Sequence, residues 1–133
     1  MKHYTSIEQS KKLLELGLNP KTADMGYNGI EDRDIRKIRY DSVANTIPNM
    51  NSIPCWSLGS LLSVMPFIEE NKIIYKPLLT KSKFGYYITY FSEESEYILM
   101  GSGTYKTPIE AAYSIIVWLL ENNYIEKSYE STR

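Results

Sequence analysis

A chain of 133 residues, 43% hydrophobic and 23% charged, has the size and composition of one globular domain and not of a disordered segment. Its net charge of −1 supplies no global field toward nucleic acid or an anionic membrane. A single cysteine excludes an intrachain disulfide and a thiolate metal cage, and the longest apolar stretch, residues 111–120, is too short to span a bilayer.

The opening Met-Lys-His-Tyr-Thr-Ser turns at once into an amphipathic pattern with no apolar leader core, so the expected location is cytoplasmic. Thr5 and Ser6 are each followed three residues later by Glu8 and Gln9, two overlapping candidates for a capping box. Ile7, Leu13, Leu14 and Leu16 form the apolar stripe of a first helix. Gly17 ends it, with Leu18 placed to fold back on Leu13. Asn19-Pro20 predicts a short helical turn through Met25. Over residues 26–53 no period persists: Gly26, Gly29, Pro48 and several asparagines punctuate the segment, which reads as irregular. Ile35, Ile38 and Tyr40 could line a short element within it. Ser57 then caps a helix carrying Leu58, Leu61, Leu62 and Met65, stopped by Pro66.

Three strands are predicted next, over residues 72–79, 84–92 and 97–100, joined by short polar turns into an antiparallel meander. Pro77 marks the first as an edge or bulged strand. Thr107-Pro108-Ile109-Glu110 combines an N-cap, a proline at N1 and a glutamate at N3, and starts a helix running to about Asn122. Its polar residues Glu110, Ser114 and Glu121 fall within an arc of about 40°, so it is buried on more than one side and forms the hub of the core. Residues 126–133 read as a frayed polar tail. The expected fold is α+β in a single domain, 1–133: N-terminal helices, a three-stranded antiparallel β-meander and a C-terminal helix packed on the sheet.

The chemistries can be tested in turn. A Cys55 nucleophile or a serine triad would need a base, and the only histidine, His3, lies at a terminus that reads as mobile. Asp32 and Asp34 lack the glycine-turned loop and closing glutamate of a calcium site, and read as a solvated turn. Glu93, Glu94 and Glu96 could pair as catalytic carboxylates, but sit on a hairpin turn. The segment Gly101-Ser102-Gly103-Thr104-Tyr105-Lys106-Thr107 resembles a phosphate loop, yet Tyr105 stands where the glycine before the lysine belongs. No catalytic residue, metal ligand, nucleotide site or cofactor site is therefore expected.

The second strand carries rings on both faces: Phe84, Tyr86, Ile88 and Tyr90 share one side, Tyr87, Thr89 and Phe91 the other. With Lys72, Lys76, Lys81 and Lys83 nearby, this suggests a base-stacking platform, but the RNA-binding sheet motif is missing and the global charge argues against nucleic acid. The last helix can cover one face only. The other must be covered by residues 26–53, by a second copy or by a partner, and Tyr87 and Phe91 are the candidate interaction residues.

Two stretches carry a resemblance. Ile53-Pro54-Cys55-Trp56-Ser57-Leu58, continuing through Leu61-Leu62 to Met65-Pro66, is one. Pro108, Ala111-Ala112-Tyr113, Trp118-Leu119-Leu120-Glu121-Asn122 and Tyr124-Ile125 form the other. With the start of the first helix and Leu16-Gly17-Leu18, they resemble a family of small uncharacterised proteins of gut bacteria, often in prophage or mobile-element settings. The resemblance implies provenance and no active site. The leading expectation is a non-enzymatic binding module, acting through a protein partner or self-association and without a membrane. The alternatives are a small enzyme working through carboxylates and tyrosines, or a nucleic-acid binder on the aromatic sheet.

Overall fold

The computed structural model describes residues 2–27, 35–37 and 53–128. Helix α1 spans Ile7–Glu15, and of the two candidate caps Ser6 is the one used. Its hydroxyl accepts from the Gln9 amide at 3.1 Å, and the Gln9 side chain accepts from the Ser6 amide at 2.9 Å. At the other end Gly17 adopts φ 101°, and the Gly17 and Leu18 amides donate to the Leu14 and Leu13 carbonyls at 3.0 and 2.9 Å. These are the paired bonds of a Schellman ending, and they turn Leu18 back into the core.

A 3₁₀ turn, Pro20–Thr22, is capped by Asn19. The helical reading through Met25 fails there, because strand β1 (Met25–Tyr27) begins at Met25. Strands β2 (Ile35–Lys37) and β3 (Ile53–Cys55) flank β1 antiparallel, giving a three-stranded sheet in the order β2-β1-β3. The irregular reading of residues 26–53 is thereby corrected at 26–27, 35–37 and 53. Ile38 and Tyr40, with the rest of that segment, lie outside the described residues. Gly26 sits opposite both Arg36 and Pro54, and β3 is an edge strand, where a proline costs no ladder bond on its outer side. Residues 2–5 are no loose terminus: the Thr5 amide donates to Trp56 and the Leu58 amide to His3, at 2.9 and 3.0 Å.

Helix α2 spans Leu58–Val64 behind the Ser57 cap. The meander that follows has four strands where three were expected: β4 (Ile68–Glu70), β5 (Ile73–Ser82), β6 (Gly85–Phe91) and β7 (Ile98–Gly101), in that spatial order. The strand missed, β4, hides behind Pro66, and its turn uses Asn71 and Lys72, both at positive φ (53° and 66°). That is the backbone of a two-residue hairpin turn that usually carries Asn-Gly.

Helix α3, Pro108–Glu121, starts at the Thr107 cap as expected, with the Glu110 amide donating to the Thr107 hydroxyl at 3.3 Å. Ile109, Ala111, Ala112, Ile115, Ile116, Leu119 and Leu120 are all buried, and the helix packs on β6, α2 and α1. Beyond it, Asn123 takes φ 61° and Tyr124 donates to the Leu119 carbonyl at 2.8 Å, a second Schellman ending built on asparagine. Tyr124 stacks on Trp118 (centroids 5.2 Å apart) and donates its phenol to Glu70 on β4 at 2.7 Å. The Ser128 amide donates to the Gly17 carbonyl at 2.7 Å.

Candidate interaction surface

The residues weighed for catalysis are dispersed. Cys55 is fully buried while His3 is exposed, so the two form no nucleophile–base pair. Burial pushes the Cys55 thiol up to about 11, against smaller opposing hydrogen bonds from Thr5 and Tyr27. Asp32 and Asp34 lie outside the described residues. Glu93, Glu94 and Glu96 are exposed, and Glu93 bridges Lys76 at 2.9 Å. A shallow groove beside α2 holds Thr22, Asp24, Ser57 and Ser60, but both oxygens of Asp24 accept from Ser57, from its amide at 2.9 Å and its hydroxyl at 2.6 Å. That carboxylate orients the start of α2. Among the described residues no cluster of His, Cys, Asp or Glu could hold a metal ion, and no helix is long and apolar enough to cross a membrane.

The segment resembling a phosphate loop is sewn to β6. Ser102 donates its amide to Ile88 at 2.9 Å, and Tyr105 and Tyr86 exchange amide bonds at 2.9 and 2.7 Å. Those amides face a strand, not an anion. Gly85, at φ 139°, is required here: a Cβ on it would lie 2.3 Å from the Tyr105 carbonyl oxygen.

The four-stranded sheet separates its faces sharply. Tyr75, Ile88 and Tyr90 are buried toward α3, with Leu79 and Met100 packed beside them. The Tyr90 phenol is satisfied by the Pro66 carbonyl at 2.9 Å. Burial raises the pKa of that phenol. The alternate residues form the opposite, open face. Across it the register sets Lys76 and Ile98 on either side of Phe91, Leu78 and Gly101 on either side of Thr89, and Thr80 opposite Tyr87. Ile74 pairs with Glu69 at its margin. Ile74, Leu78 and Ile98 are 55, 47 and 62% exposed, while Tyr87 and Phe91 are half-buried among them.

Tyr87 and Phe91 thus share a face with three exposed aliphatic residues that the sequence reading did not single out. In β5 both alternations are apolar, Ile73, Tyr75 and Leu79 against Ile74 and Leu78, so the pattern alone does not choose the open side. The other rings of β6 part company: Phe84, at the β5–β6 turn, is 78% exposed, and Tyr86 is half-buried under the Lys81 ammonium, 5.9 Å from the ring centre.

Comparison with family models, with curated proteins and with solved structures found no match.

Proposed function

We propose that this chain is a non-enzymatic protein-binding module and that the open face of β4–β7 is its contact surface. The observation that supports this is the clustering of Ile74, Leu78 and Ile98, exposed and apolar, around half-buried Tyr87 and Phe91 on one sheet face. Exposed aliphatic residues scattered singly need no explanation, but a contiguous patch built on a rigid sheet does. Aromatic residues held in place by strand pairing give contact area at little entropic cost, which suits them to the centre of an interface. The partner such a face fits is a protein, either a second copy of the chain or, following the resemblance, a host or phage component met by a mobile element.

The test uses a photo-crosslinking residue at Leu78, compared with the same residue at exposed Lys11 on α1, in the source cells. A protein adduct should form from position 78 and not from position 11. It should disappear when Tyr87→Ala and Phe91→Ala are added, with circular dichroism unchanged. Each ring at an interface centre contributes about 2 kcal/mol, so the pair should weaken binding by more than about a hundredfold. Equal adducts from both positions, or an adduct that survives the double substitution, would refute the assignment.

A further inference from the structure

Exposed charges flank the open face in two blocks, one at each end of the sheet, and we propose that its occupant is a second copy of the chain, packed face to face with strands running opposite to the first. This rests on the reading of that face as a contact surface. At one end lies the β5–β6 turn, where Lys83 is exposed; Lys81, paired with Tyr86, is exposed at the same end but alternates to the α3 face, and Lys106 follows Tyr105, whose backbone pairs with Tyr86 beside the same turn. No acidic residue occurs from Asn71 to Ser92. At the other end lie the β4–β5 and β6–β7 turns, where exposed Glu69, Glu93, Glu94 and Glu96 outnumber exposed Lys72. The Lys76–Glu93 bridge sits on this acidic side. Between the two blocks lies the apolar field of Ile74, Leu78, Tyr87, Phe91 and Ile98.

A two-fold axis between stacked sheets can run along the strands or across them. Along the strands, like ends meet, lysine over lysine and glutamate over glutamate. Across the strands, each copy is turned end for end. Lys83 of either copy then meets the acidic turn of the other, twice, because the contact is isologous. The face is its own electrostatic complement in this second arrangement only, and that favours a second copy of this chain over an unrelated protein. Strands ~4.8 Å apart with ~3.3 Å per residue make the face on the order of 400 Å². A pair hides about twice that, on the order of 800 Å², below the standard range and in that of weak, transient contacts, so the dimer is weak and its orientation is sensitive to charge.

Sedimentation equilibrium of the full chain, up to on the order of 1 mM, tests this. A monomer–dimer equilibrium should appear and weaken between about 0.05 and 0.5 M salt. Leu78→Glu or Ile98→Glu should weaken it at least about tenfold with unchanged circular dichroism; if Leu78→Glu proves unfolded, Ile98→Glu carries the test, its site being 62% exposed. Lys83→Glu and Glu94→Lys should each weaken the dimer about threefold or more, while their equimolar mixture and the double variant restore it. If like ends met, each single reversal would lower the like charge massed at that end and leave the dimer equal or tighter. The proposal is overturned by a monomer throughout, by a dimer indifferent to position 98, or by single reversals that fail to weaken the dimer. A monomer that still yields the position-78 adduct at the mass of another protein overturns only the second copy; loss of both overturns the contact surface as well.

Discussion

Thr5 shows how much one side chain organises. Its amide and hydroxyl oxygen bracket Trp56, donating to the Trp56 carbonyl at 2.9 Å and accepting from the Trp56 amide at 3.1 Å. Its carbonyl accepts from the Tyr27 phenol at 2.6 Å and from the Cys55 thiol at 3.4 Å, and its hydroxyl shares a 2.8 Å bond with Ser10. A buried polar knot of this kind is favourable only when every member is satisfied. Burial keeps Cys55 protonated against the hydrogen bonds of that knot, lifting its thiol from 9.0 to about 11. The folded thiol keeps its proton in that window while the unfolded one loses it. The contribution to stability is therefore full below pH 9 and is lost as pH rises toward 11, at most about 1.4 kcal/mol per pH unit. Urea midpoints at pH 8 and pH 10 should fall further for the wild type than for Cys55→Ala, which lacks this proton. The native thiol should also resist a disulfide reagent at pH 8 until urea unfolds the chain. Equal losses in the two proteins, or rapid labelling of the folded one, would contradict the burial argument.

At the scale of elements, the helices were legible because their ends are written in local chemistry. Ser6 with Gln9, Gly17 with Leu18, and Thr107 with Pro108 and Glu110 each stand within five residues of the bonds they make. The three-stranded sheet was not legible, since Gly26 and Pro54, which read as breakers, face each other as ladder partners across 28 residues of sequence. Strand β4 was lost for a related reason: Asn-Lys is a poor signal for a turn whose two residues both take positive φ. The open face was half legible, Tyr87 and Phe91 by alternation but Ile74, Leu78 and Ile98 only through pairing. The β4–β5 turn allows a direct check. Lys72, at φ 66°, carries a side chain in the left-handed region, at a cost of about 1 kcal/mol that glycine avoids. Glycine also loosens the unfolded chain, so Lys72→Gly should gain only about 0.5 kcal/mol, a rise of roughly 2 °C in Tm. Lys72→Ala should gain nothing. A lower Tm for the glycine variant would mean that this turn is not the one described.

Across the whole molecule, the two sheets are joined through helices: β3 packs on α1, α1 on α3, and α3 on both α2 and β6. The segment after α3 adds two ties, Tyr124 to Glu70 on β4 and Ser128 to Gly17 at the end of α1. A core shared in this way, with Trp56 at one side and α3 through the middle, should not come apart in stages. The two tryptophans make the expectation measurable. Trp56 is fully buried beside the three-stranded sheet, whereas Trp118 is half-buried on α3 against Tyr124. In a Trp118→Phe variant, fluorescence therefore reports Trp56 alone, and helical ellipticity is dominated by α3, at 14 residues the longest helix among the described residues. Replacing a half-buried ring by a smaller one lowers stability by about 1–2 kcal/mol, and it does so equally for both probes. Urea unfolding followed by the two signals should give one midpoint and one slope. A Trp56 transition at lower urea than the ellipticity would show that the three-stranded sheet opens first, and would divide the chain into two folding units that meet at α1.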